Sequence, residues 1–191
     1  MKILNTTLFC LLALSLTAQE DVTPLVAKSI SSIQANLGAL HFVHERGLSD
    51  NISLRLEVGV HQQFRYLWPE TSPRGSYYGL RPVIGVGGRY YYNLAKRAEK
   101  GKRTTNNSGN FVELIGQYRP DFFVYNTNEN INAVHTFSST ARWGLRRQLG
   151  KHFDVEFTAG VILRPGGSLL GRRSIFGTGL PHLGWRFGYR F

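Results

Sequence analysis

The chain is almost without cysteine. The single one, Cys10, sits in the opening stretch MKILNTTLFCLLALSLTAQE, where Lys2 precedes an apolar run from Leu8 to Leu16 and the small residues Thr17 and Ala18 follow. That pattern reads as a secretory signal peptide over residues 1–19, cleaved near Ala18 or Gln19. More apolar residues follow Cys10, which argues against a lipoprotein anchor at the cleavage point. A mature domain over residues 20–191 then has no disulfide, no thiolate metal site and no cysteine nucleophile. Long hydrophobic runs are missing too. Beyond the leader nothing approaches the roughly 18 apolar residues of a membrane helix. The leader's own run is short and leads into Glu20 and Asp21. Acidic residues are scarce: 12 stand against 23 Lys and Arg, for a net charge of +11. Removal of Lys2 with the leader leaves +10. This excess favours anionic partners such as phosphate head groups, while export argues against nucleic acid. No glycine-rich phosphate loop is present, since Gly87-Gly88 belongs to a strand and Gly166-Gly167 to a loop.

What the chain does have is aromatics, glycine and a period of two. In residues 51–61, Ile52, Leu54, Leu56, Val58 and Val60 fall on one side, and Ser53, Arg55, Glu57, Gly59 and His61 on the other. Strand side chains alternate in this way and helical ones do not. The alternation recurs around Ile33 to Ala39, Tyr78 to Tyr92, Val112 to Arg119, Phe137 to Leu145, Phe153 to Leu163 and Leu183 to Phe191. Each polar side carries charge, and Ile115 is an apolar exception on its polar side. The period alone fits a soluble sandwich as well as a membrane barrel. Segment lengths near ten residues favour the barrel, because a tilted strand needs about that many to cross a bilayer. So do the aromatics at segment ends: Tyr90, Tyr92, Trp143 and Tyr189 at one rim, and Phe64, Tyr66, Trp68, Tyr77, Tyr78, Phe122, Phe123 and Tyr125 at the other.

The terminal pattern Leu183, Trp185, Phe187, Tyr189 and Phe191 resembles the C-terminal assembly signal of small outer-membrane β-barrel proteins of Gram-negative bacteria. The stretches WGLRRQLGKHFDVE and YYYNLAKRAEKGKRTTNNSGNF resemble periplasmic turns of that largely uncharacterised family. The resemblance runs from about Ile33 to the end. It implies an all-β, closed, antiparallel up-and-down transmembrane barrel in the outer membrane, in contact with lipid, lipopolysaccharide and the barrel assembly machinery. With the last strand descending to the periplasm, the segments from Gln62, Pro120 and Arg164 become outer loops. RRQLGKH and the segment from Ala95 then face the periplasm. The Ala95 turn is longer than the rule for periplasmic turns allows. Seven segments are countable, and an even barrel requires eight. The eighth is sought at Asp21 to Ser32 or in the loop after Arg164.

Eight strands enclose a space that side chains fill, which excludes a general diffusion pore. The polar faces place Arg55, Glu57, Arg81, Arg89, Glu113, Arg119, Arg142, Asp154, Glu156, Arg186 and Arg190 in that lumen. Burial of so much charge demands a connected ion-pair network. This reading is a plugged polar lumen with a structural or partner-docking role. The alternatives are a lipid A-modifying enzyme and a narrow gated transporter. Cooperating groups on one strand face must be an even number of residues apart. His135 with Ser138 fails that test, and His61, His152 and His182 have no serine two positions away. Glu57 with His61 is the nearest acid and histidine pair and reads as structural. His41 and His44 fall on opposite faces, which argues against a metal site. No catalytic residue, cofactor or metal is therefore assigned. Lys96, Arg97, Lys100, Lys102 and Arg103 crowd the Ala95 turn, with Arg146, Arg147 and Lys151 on the next, as a docking surface for a periplasmic protein. Arg74, Arg164, Arg172 and Arg173 face lipopolysaccharide phosphates.

Overall fold

The computed structural model describes residues 25–65, 77–129, 131–164, 168–169, 172–173 and 178–191. The whole leader, Tyr66, Trp68, Arg74, Gly166 and Gly167 lie outside the described residues, as do the side chains of Arg172 and Arg173. The strands are β1 (Ser29–Asn36), β2 (Ala39–Gly47), β3 (Ile52–Arg65), β4 (Tyr77–Tyr90), β5 (Asn110–Arg119), β6 (Tyr125–Asn126), β7 (Thr136–Leu149), β8 (Phe153–Arg164), β9 (Ser168–Leu169), β10 (Arg172–Arg173) and β11 (Thr178–Arg190). β1, β2, β3, β4, β5, β7, β8 and β11 pair antiparallel in that order, and β11 returns to β1 to close an eight-stranded barrel. β6 pairs with the far end of β4, and β9 with β10.

The faces follow from the alternation. On β3, Ser53, Arg55 and Glu57 are at most 1% exposed, while Ile52, Leu56 and Val58 are 42–56% exposed. The same division holds around the ring. Among the described residues, 21 polar or charged side chains are buried against eight apolar ones. The molecule is thus apolar outside and polar inside, the reverse of a water-soluble domain.

The eighth strand lies partly in the stretch Asp21 to Ser32, since β1 begins at Ser29, and not in the loop after Arg164. The alternation from Ile33 to Ala39 reads as one strand, but the chain turns back at Leu37 and Gly38 and continues as β2. Asn36 stabilises the turn by accepting a hydrogen bond from the Gly38 amide at 3.0 Å. Because Asn36 pairs with Ala39, both face the same way across a two-residue loop. The inward positions therefore change from even on β1 to odd on β2, and Ala39 belongs with the inward set. At the other end Gly150 adopts φ 65° in the three-residue loop from β7 to β8, a conformation that favours glycine.

The long basic turn is a folded cap. Helix α1 (Leu94–Glu99) ends where Gly101 takes φ 61°. There the Gly101 and Lys102 amides bond the Ala98 and Arg97 carbonyls, a Schellman closure. Val26, Tyr91, Leu94 and Phe111 pack as a buried apolar cluster across this rim, with Leu25 against it. Asn106 and Asn107 both adopt positive φ, which asparagine tolerates better than most residues. This aims the Asn107 side chain inward, where its Oδ1 accepts from the Ala27 amide at 2.8 Å. The turn exceeds ordinary length because it closes one end of the barrel.

Candidate functional site

The lumen has two parts. Near the C-terminal rim, the end that carries Phe191 and α1, arginines and glutamates from the wall strands interlock. Arg89 on β4 contacts Glu113 at 2.8 Å and Glu156 at 2.6 Å, and its guanidinium lies 4.0 Å from the Phe111 ring centre. Arg146 on β7 bridges Glu45 at 3.0 Å and Glu156 at 3.1 Å. Glu113 also holds Arg142. Arg55 donates to Gln34 at 2.6 Å and lies 3.4 Å from Glu57, while Arg186 reaches Glu57 at 2.8 Å. Gly85 makes room here, since a Cβ on it would stand 2.7 Å from the Glu57 side chain. Glu45 Oε1 accepts from Ser53, Tyr91 and Asn107 at 2.7–2.8 Å, which ties the wall to the cap. Burial raises the Tyr91 phenol well above its ordinary range; Glu45 adds to the rise against the pull of Arg146. Tyr91 therefore stays a proton donor to that carboxylate.

Toward the opposite rim the packing loosens into a cavity of about 180 Å³. Arg119, Arg142, Arg186, His61 and His182 line it with Gln117, Thr140 and Thr158, and none of its lining residues is acidic. Arg119 bonds only weakly, to Ser138 at 3.3 Å, Gln117 at 3.4 Å and His61 at 3.5 Å. His61 and His41 meet Nε2 to Nε2 at 2.8 Å with stacked rings, and His41 Nδ1 lies 3.7 Å from Glu57. A consistent set of tautomers runs Arg119 to His61 to His41, each group donating to the next, with His41 Nδ1 facing Glu57 at 3.7 Å without a hydrogen bond. Gly59 permits the stack, because a Cβ on it would come within 2.9 Å of the His41 ring.

The sequence-derived lumen residues divide between these parts. Arg55, Glu57, Arg89, Glu113, Glu156 and Arg186 are joined in one network. Asp154 and Arg190 pair separately at 3.8 Å, at the rim. Arg119 lies in the cavity without a carboxylate partner among the described residues. Arg81 bonds no carboxylate either; it gathers the carbonyls of Arg119, Pro120 and Val134 and so pins the segment after β5. Lys96, Lys100, Lys102 and Arg103 are exposed, and Arg97 is partly covered. Arg97 donates to the Arg103 carbonyl at 3.0 Å and Arg103 to that of Gly150 at 3.3 Å. Leu183, Trp185, Phe187, Tyr189 and Phe191 all face outward, 43–86% exposed, with Phe153 ring-packed on both Phe187 and Tyr189 at 5.3 Å. Trp143 donates to the Tyr92 hydroxyl at 2.6 Å in the same belt.

For chemistry, Glu57 touches His41 rather than His61, so the pair read from the sequence is separated by a second ring. His44 points away from His41 and meets Ser31 at 3.0 Å. Thr158 bonds His182 at 3.0 Å, but no carboxylate among the described residues orients that ring. No group of three metal-ligating side chains occurs among the described residues. Sequence reading left Glu45 and Arg146 out of the lumen because each sits beside residues that look like a turn. Tyr91 was legible, since its neighbours Tyr90 and Tyr92 face outward and parity turns it in. Nothing in the sequence marks Asn107. Compared with family models, with curated proteins and with solved structures, the chain matches none.

Proposed function

We propose that the protein is an integral outer-membrane barrel, plugged at its periplasmic end, which serves as a structural or partner-docking element and not as a catalyst or open pore. The observation that carries this reading is the inverted distribution of polarity. Leu56, Val58, Ile84, Val86, Leu114 and Phe157 present 42–60% of their surface outward, while Arg55, Glu57, Arg89 and Glu156 are sealed inside. Apolar area of that extent in water favours association at about 25 cal/mol per Å² removed from solvent, so a bilayer is the solvent that leaves the fold monomeric. Val26, Tyr91, Leu94 and Phe111 pack into a buried apolar cluster at the capped end, which supports a closed lumen. The exposed Lys96, Lys100, Lys102 and Arg103 surround that cap and supply a cationic face to a periplasmic partner. The terminal aromatic pattern fits recognition by the barrel assembly machinery, and the leader-like opening fits export.

The test is fractionation of the expressed chain followed by purification. The expected result is recovery in outer membranes, a requirement for detergent, and no steady conductance in planar bilayers. A mature polypeptide that is monomeric in buffer without detergent would overturn the membrane reading. Steady channel conductance would overturn the plug.

A further inference from the structure

The cavity toward the rim opposite the cap is a charge imbalance held in place by the wall. Among the described residues, Arg55, Arg89, Arg119, Arg142, Arg146 and Arg186 share the inner lumen with the glutamates 45, 57, 113 and 156. Within this set two positive charges are uncompensated, while Arg81, also buried without a carboxylate, is held by backbone carbonyls. The Arg142 side chain is 3% exposed, yet its Nη2 has no hydrogen-bond partner, and Arg142 lines the cavity. A buried guanidinium with an idle donor normally has a missing acceptor. Thr140, Thr158 and Gln117 add neutral donors to the same space.

The wall beside this cavity is also incomplete. β1 pairs with β11 only from Ala35↔Phe187 to Ser32↔Arg190, so residues 178–186 of β11 have no partner on that side among the described residues. The β1–β2 hairpin stops short at Leu37, which is 87% exposed. Asn36, Gly184 and Trp185 line the cavity where the notch begins. Outside, an apolar groove of about 350 Å³ runs over β11, β8 and β7, formed by Trp143, Phe157, Ala159, Leu183 and Trp185; it lies across β11 from the notch and shares Thr158, Gly184 and Trp185 with the cavity.

We propose that the cavity binds the phosphate head of a single-chain amphiphile, whose tail leaves sideways through the notch and across β11 onto the apolar groove. A phosphate monoester carries about −1.5 to −2 charge, which matches the excess of two arginines. At about 180 Å³ the cavity is smaller than the roughly 300–1,000 Å³ of sites that enclose a whole organic ligand, so only the head is accommodated. The head can also be supplied as free phosphate, and the tail distinguishes the two sources. The inference rests on the membrane reading for the tail's route, and its failure is separable because detergent dependence is measured independently.

The test is a phosphorus NMR titration of the protein in dodecyl maltoside micelles, first with dodecyl phosphate and then with inorganic phosphate. The expected result is a saturable shift at one dodecyl phosphate per chain, with inorganic phosphate at least tenfold weaker. Arg119→Gln should weaken binding at least tenfold. It leaves no carboxylate unpaired, so folding is preserved. Gly184→Val should do the same by filling the cavity, since a Cβ there already meets Thr158 Oγ1 at 2.9 Å. Lys100→Gln, on the exposed cap, should bind as the parent does. Equal affinity for inorganic phosphate would overturn the lateral route. Absence of saturable binding, or unchanged binding by folded Arg119→Gln, would overturn the site.

Discussion

The two halves of the lumen use the same residue type in opposite ways. At the capped end the arginines are paired with carboxylates, as Arg89 is with Glu113 and Glu156, and Glu45 also takes Tyr91 and Asn107, although Arg55 keeps an idle Nη1. At the opposite end Arg119 is held by three neutral contacts of 3.3–3.5 Å, and Arg142 keeps an idle nitrogen. Paired burial makes a rigid plug, whereas unpaired burial stores affinity for an anion. The difference teaches that an eight-stranded barrel too narrow for a pore can still divide its interior into a structural half and a receptive half.

The largest effect that would test this division is at Arg89. Arg89→Ala takes one cation from each of Glu113 and Glu156, which keep Arg142 and Arg146, and removes the guanidinium over Phe111, so it should cost about 3–5 kcal/mol. Urea unfolding in micelles, followed by loss of the compact gel mobility, measures it. A cost below 1 kcal/mol would mean that water enters the capped half and that the halves are alike. Next comes the cap itself. Leu94 is fully buried with Val26, Tyr91 and Phe111, and Leu94→Ala should cost about 2–5 kcal/mol through the cavity it leaves. The same variant should show intermittent conductance if the cap seals the lumen. Tyr91→Phe removes one donor from Glu45 while Ser53 and Asn107 remain, so its cost should be smaller, about 1.5–3 kcal/mol in the same unfolding measurement.

Legibility in the sequence followed how far each feature depends on parity alone. β11 was plain because bulky apolar residues from Leu183 to Phe191 alternate with glycine and arginine over its whole length, and the barrel holds that register against β8 throughout. β2 was hidden because Leu37, an apolar residue, occupies a turn and keeps the alternation running while the chain reverses. The error propagated: with β2 absent, Glu45 stayed in a turn and His41 had no strand to bring it to His61. The ion pairs themselves are set by register between strands distant in sequence, such as Arg146 with Glu45, and no local pattern encodes that. The cap escaped notice for a related reason. Its basic residues signal solvent, but Leu94 and Asn107 among them are buried, and only the closed rim explains why.

The smallest expected effect is the most discriminating. Arg119→Gln removes a cation that no carboxylate partners, from a half-buried position, whereas the paired Arg55 and Arg89 are fully buried. Loss of three long hydrogen bonds is offset by relief of an uncompensated charge, so stability without added ligand should change by no more than about 1 kcal/mol, in either direction. The same unfolding measurement repeated with dodecyl phosphate should then separate parent from variant. The parent gains stability by mass action, about 2.7 kcal/mol at a free concentration 100 times its dissociation constant, and the variant gains far less. If Arg119→Gln instead costs as much as Arg89→Ala, the cation is part of the plug, and the polarity of the lumen serves the fold from rim to rim.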